Sequence, residues 1–152
     1  MNKIAFISFL FSILCISCST NQKEKKSIIP EVSVKTDQPQ TILPNDSGIV
    51  NLNLAEGKAS ALIQKKKDQT VYIVFSSQGY KKIDAQLSST DSLANIRFSQ
   101  IFLPNGTMDG PFGRELTYDL PIDGVYKVSV HENMMAGDPW SGLLKVQIEL
   151  TK

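Results

Sequence analysis

The only histidine, the only tryptophan and two of the four methionines of this 152-residue chain fall in one short stretch, His131-Glu132-Asn133-Met134-Met135-Ala136-Gly137-Asp138-Pro139-Trp140. An imidazole beside a carboxylate is raw material for acid–base or metal chemistry. A single histidine with no second ligand and no nucleophile at a recognisable spacing supplies neither. Methionine and tryptophan instead offer broad, adaptable contact area, so His131, Met134, Met135 and Trp140 point to binding. The competing role for Trp140 and one methionine is structural, as a lid on the open end of a β-sandwich. A second cluster, Asn105, Asp109 and the glycines around them, has oxygens that can ligate calcium or simply favour tight turns. No Gly-x-Ser-x-Gly, His-Glu-x-x-His or phosphate-cradling loop occurs. The chain reads as a non-enzyme that needs no cofactor.

Charge narrows the partners further. The chain has 16 basic and 15 acidic residues. Loss of a leader containing Lys3 would leave the two counts level, which argues against nucleic acid or an anionic bilayer surface as a ligand. Lys65-Lys66-Lys67 is followed at once by Asp68 and reads as a solvated turn.

The elements that must position these residues begin after a leader. Lys3 and the apolar run Ile4 to Ile16 are too short for a permanent span and end on Cys15-Ile16-Ser17-Cys18. This resembles a bacterial lipoprotein signal, which implies cleavage after residue 17, a lipid on Cys18 and, with Ser19 and no aspartate following, the outer membrane. Such an anchor is effectively permanent, since each buried CH₂ contributes about 0.8 kcal/mol. Cys15 would leave with the leader, so neither a disulfide nor a cysteine-based metal site is expected in the mature protein. Residues 18–47 are polar and interrupted by Pro30, Pro39 and Pro44. They read as a semi-stiff leash with a reach of up to about 90 Å, in which Val32 and Val34 are the one candidate for a short edge strand.

From Gly48 to the end, apolar and polar residues alternate between turn signals. Val50, Leu52 and Leu54 share a face; Ala59, Ala61 and Ile63 follow, then Ile83, Ala85 and Leu87. Val71 to Phe75 is apolar on both sides, as in a central strand. Ile96, Phe98, Ile101 and Leu103 form a longer one whose alternation slips near Gln100, a bulge signal. Leu116, Tyr118 and Leu120 precede Tyr126, Val128 and Val130, whose neighbours Lys127 and Ser129 face water. The last strand sets Leu144, Val146, Ile148 and Leu150 against Lys145, Gln147 and Glu149. About eight short strands without a helical period predict an all-β fold, an antiparallel, jelly-roll-like β-sandwich over 48–152.

Three segments carry a family resemblance: Tyr72-x-x-Phe75-x-x-x-Gly79, Leu103-Pro104-Asn105-Gly106, and Leu120-Pro121-x-x-Gly124-x-Tyr126-x-Val128-x-Val130. Over about residues 55 to 150 the chain resembles the bacterial pre-peptidase C-terminal-like sandwiches, and among them the periplasmic inhibitors of goose-type lysozyme. The resemblance implies a site in which a tyrosine, matched here by Tyr72, acts with arginines placed after the Gly-x-Tyr strand. The corresponding loop here is His131 to Trp140 and has no arginine. Asp91-Ser92-Leu93 also resembles a short O-glycosylation motif of Bacteroidota periplasmic proteins. The reading that follows is a non-enzymatic, lipid-anchored envelope module that faces the periplasm or the cell exterior and recognises a protein or glycan through its loop end. The alternative is an inhibitor of goose-type lysozyme or a related hydrolase.

Overall fold

Strand propensity and inward parity together build the core. In the computed structural model, which describes residues 40–152, ten strands are present: β1 (Gln40–Ile42), β2 (Ile49–Asn51), β3 (Lys58–Lys65), β4 (Val71–Ser76), β5 (Lys82–Ser88), β6 (Ile96–Phe102), β7 (Met108–Asp109), β8 (Glu115–Asp119), β9 (Val125–Glu132) and β10 (Gly142–Thr151). The leader, Cys18 and the Val32–Val34 segment lie outside the described residues. Among the described residues there is no helix. Two five-stranded sheets form, β1-β3-β10-β5-β8 and β2-β4-β9-β6-β7. The chain changes sheet at nearly every connection, so almost every pairing joins segments distant in sequence.

The expected all-β sandwich is therefore present, with ten strands where about eight were read. The two extra strands are the three-residue β1 and the two-residue β7, both edges. The β1 strand lies upstream of residue 48, inside the stretch read as leash, and pairs with β3 in parallel. The β2–β4 pair is parallel as well, and the remaining ladders are antiparallel.

Most positions read as inward from alternation are buried, among them Ala61 and Ile63 on β3, Ile83, Ala85 and Leu87 on β5, and Leu144, Val146, Ile148 and Leu150 on β10, while Ala59, Leu103 and Tyr118 are only half-buried against the core. Tyr126, near the start of β9, is fully enclosed, its ring stacked on Phe75 at 5.8 Å. Its hydroxyl donates to the Ile122 carbonyl (2.6 Å) and accepts from the Ile122 N–H (3.3 Å), which removes the cost of burying it.

Two readings shift. The register slips between Phe98 and Gln100, so the anticipated bulge is real. It also explains why Ser129 is buried although parity points it outward: Ser129 Oγ accepts from the Gln100 N–H at 3.1 Å, a donor the slipped ladder leaves unpaired. The β4 strand is second from the edge, and only Val71, Ile73 and Phe75 face the core. Its other apolar side, Tyr72 and Val74, is half-buried on the outer surface of the sheet.

Candidate functional site

The loop between β9 and β10 is built on a buried ion pair. Parity along β3 sends Lys65 inward after Ala61 and Ile63, and parity along β9 sends Glu132 inward after Val128 and Val130. Lys65 Nζ donates to Glu132 Oε1 at 2.5 Å, and the two side chains are 0% and 4% exposed. The reading of Lys65 as part of a solvated turn is thus overturned: the strand continues through it, and the turn begins at Lys66. Lys65 also donates to the carbonyls of Lys66 (2.9 Å) and Trp140 (3.3 Å), while Glu132 Oε1 accepts the Trp140 N–H at 3.0 Å. Burial alone would raise the Glu132 carboxyl, but the hydrogen bond and charge of Lys65, with backbone donors, outweigh it and hold the group below its ordinary value.

Trp140 closes the structure above this pair. It is 7% exposed and joins the core. Its indole N–H donates to Asp91 Oδ2 at 2.6 Å. That bond, with one from the Leu93 N–H, holds the Asp91 carboxyl below its usual range. The ring lies so close to Gly142 that a Cβ there would meet it at 2.3 Å. The Trp140 side chain is thus packed into the core, whereas both methionines of the loop are exposed. The Asn95 carboxamide braces the rest of the loop by donating to the carbonyls of Asp138 (3.1 Å) and Asn133 (3.4 Å). The Asn133 N–H donates back to the Asn95 carbonyl at 2.8 Å.

On this base the tip is open. Met134 is 60% and Met135 98% exposed, and the Met135 N–H donates to Asn133 Oδ1 at 3.3 Å. His131 stands elsewhere: it is half-buried on the outer face of the β2-β4-β9-β6-β7 sheet, across from Arg97. Its Nδ1 donates to the Glu132 carbonyl at 2.5 Å. Tyr72 is on the same outer face, paired with Ser129 two residues before His131. It packs edge-on against Phe102 at 6.4 Å, and Lys127 Nζ lies over both rings, 4.9 Å from Tyr72 and 4.4 Å from Phe102. The residues singled out from sequence thus divide into an exposed tip, a buried lid and a sheet face.

Glu132 points into the core and His131 away from it, so the two do not form an acid–base pair. Among the described residues no group of His, Cys, Asp and Glu side chains is arranged to hold a metal. Asn105 Oδ1 accepts from the N–H and hydroxyl of Thr107, and Asp109 Oδ1 from the Gly110 N–H, which is turn-forming chemistry. A shallow depression of about 680 Å³ lies on the outer face of the other sheet, lined by Ser60, Asp84, Gln86, Glu115 and Gln147, none of them singled out from sequence. The residues missed in the sequence are Lys65, Arg97, Phe102 and Lys127. Inward parity was the available signal for Lys65, and outward parity across three paired strands for the others.

Geometry of this kind defines an all-β sandwich with a braced loop at one end. Among solved structures it is similar to Aeromonas hydrophila PliG, a periplasmic lysozyme inhibitor of g-type lysozyme, at 14% identity and a TM-score of 0.53, covering 73% of this chain and 99% of that one. PliG from Salmonella Typhimurium aligns at 20% identity and TM-score 0.44, covering 68% and 98%. A mutant of the Escherichia coli PliG aligns at 15% and 0.43, covering 68% and 97%. No family model matches the chain, and no curated protein does. The likeness to the Aeromonas protein is one of fold.

Proposed function

We propose that this protein is a non-enzymatic bacterial envelope lipoprotein, lipidated at Cys18 and held at the outer membrane, whose sandwich binds a protein partner through the β9–β10 loop. Within that reading, a goose-type lysozyme or related hydrolase is the first partner to test. The observation that carries the proposal is the contrast within one loop: the buried Lys65–Glu132–Trp140 assembly and Asn95 fix its base while Met134 and Met135 stand in solvent. A tip already held in place loses little conformational entropy on binding, and exposed methionines adapt to the surface they meet. The fold shared with a g-type lysozyme inhibitor supports the choice of partner. The loop has no arginine to pair with catalytic carboxylates, so its contacts would be mainly apolar, and the exposed cations that follow the buried Lys65 are Lys66 and Lys67.

The test is lysis of peptidoglycan by goose-type lysozyme with increasing amounts of the protein. Inhibition is expected, and the double substitution Met134→Ala, Met135→Ala is expected to weaken it about tenfold or more while leaving the unfolding temperature unchanged. Undiminished lysis at large excess would dismiss the hydrolase as partner. Equal inhibition by the double variant would dismiss the loop.

A further inference from the structure

The outer face of the β2-β4-β9-β6-β7 sheet takes no part in the loop-end reading, and its chemistry differs from that of the opposite face. On the opposite face acids are present and engaged: Lys58 pairs with Glu149 at 2.7 Å, and Asp84 accepts from the Thr117 hydroxyl at 2.6 Å. Here the register places Lys127 beside Phe102, Tyr72 and Gln100 on either side of Ser129, and Arg97 beside His131. No aspartate or glutamate shares these rows. Among the described residues the only ion pairs are Lys58–Glu149 and Lys65–Glu132, so Lys127 and Arg97 have no carboxylate. Glu132 borders the face but turns into the core, and Asp109 at the β7 edge caps Gly110 and lies close to Tyr118.

Lys127 is held in place without being neutralised. Two aromatic rings fix its ammonium by cation–π contact, and no hydrogen bond from its N–H groups to the protein is formed among the described residues. Arg97 Nε is buried and lacks an acceptor. The two cations sit in rows four residues apart along β9, a separation of about 13 Å at roughly 3.3 Å per residue. Between them lie the Tyr72 ring and hydroxyl and the Gln100 carboxamide.

The size of this patch selects the occupant. Three strands at about 4.8 Å spacing by about 13 Å of length is a narrow strip, far below the roughly 800 Å² per partner of a stable protein complex. An extended chain fits it. Carboxylates spaced along that chain would meet Lys127 and Arg97, and hydroxyl-bearing rings would meet the amide, phenol and aromatic surface between.

We propose that this sheet face binds an acidic polysaccharide, with uronate carboxylates on Lys127 and Arg97 and a sugar ring beside Tyr72 and Phe102. The inference is independent of the loop and of any hydrolase partner. The experiment titrates the full-length protein with oligogalacturonate, and in parallel with dextran oligosaccharide and poly-L-glutamate. Oligogalacturonate is expected to bind at least about tenfold more tightly than either comparator. Lys127→Gln and Arg97→Gln should each weaken it about tenfold, whereas Met134→Ala, Met135→Ala should leave it unchanged. The affinity should also fall with salt as for about two neutralised charges. Amide shifts on the wild-type protein give a readout independent of variant folding: changes centred on Tyr72, Gln100 and Lys127 support the site. Changes confined to the loop end or the other sheet overturn it. So do dextran or polyglutamate binding as tightly as oligogalacturonate, unchanged affinity in both charge variants, or no binding at millimolar ligand.

Discussion

A lysine with no exposed surface has left water entirely, and its charge is tolerable only where fixed oxygens replace the lost hydration. Lys65 has the Glu132 carboxylate and the carbonyls of Lys66 and Trp140. Removing one partner strands the other, so Lys65→Met should cost about 3–5 kcal/mol in urea unfolding. Adding Glu132→Gln to Lys65→Met should recover much of that loss, because the amide is neutral and its oxygen still accepts the Trp140 N–H. A double variant no more stable than Lys65→Met would show that the pair is not the support of the loop. Acid should act at the same place. The Glu132 and Asp91 carboxyls are held below their ordinary values of 4.5 and 3.8. Groups lowered by folding contribute fully above the unfolded pKa, and the contribution is lost as pH falls through the folded one. The melting temperature should therefore drop on acidification below about pH 4, and less steeply in Glu132→Gln than in wild type. Both residues were legible as inward positions of alternating strands, Ala59-Ala61-Ile63-Lys65 and Tyr126-Val128-Val130-Glu132. Charge concealed them, since a lysine run followed by aspartate looks like a solvated turn until the register of β3 against β10 is known.

At the scale of elements, alternation located eight of the ten strands because each buries one face, and a two-residue period leaves a trace in sequence. The β1 and β7 edges left none: three and two residues are too few to show a period unless, as at the equally short β2, the alternation runs on into the flanking chain at Leu52 and Leu54. Apolar residues on both sides of β4 suggested a central strand, but among the described residues no second layer covers Tyr72 and Val74, and a single strand's sequence cannot distinguish those cases. The bulge in β6 is where one element depends on another. Its Gln100 N–H has Ser129 Oγ on β9 as acceptor, within a face that is otherwise half-covered. Ser129→Ala should cost about 1–3 kcal/mol by leaving that donor unpaired, and hydrogen exchange at the Gln100 amide should quicken beyond what the global loss explains. Unchanged exchange there would mean that the bulge is held by the ladder alone.

Across the whole molecule, the order of strands in space decides how it can form. The last strand, β10, sits between β3 and β5 near the middle of its sheet and pairs with residues 58–65 and 82–88. Neither half of that sheet can close until the end of the chain arrives, and such distant pairings make folding slow, on the order of milliseconds to seconds. Both cysteines, Cys15 and Cys18, precede the described strands, so no disulfide shortens the search or secures its product. Two outcomes follow from one cause. Deleting residues 142–152 should abolish cooperative unfolding altogether, because it splits the β1-β3-β10-β5-β8 sheet into pieces and uncovers Leu144, Val146, Ile148 and Leu150's partners in the core. Adding a reductant should leave the unfolding transition where it was. A truncated chain that still melts cooperatively near the wild-type temperature would mean that the β2-β4-β9-β6-β7 sheet folds by itself, and the two layers would then have to be treated as separate in every prediction above.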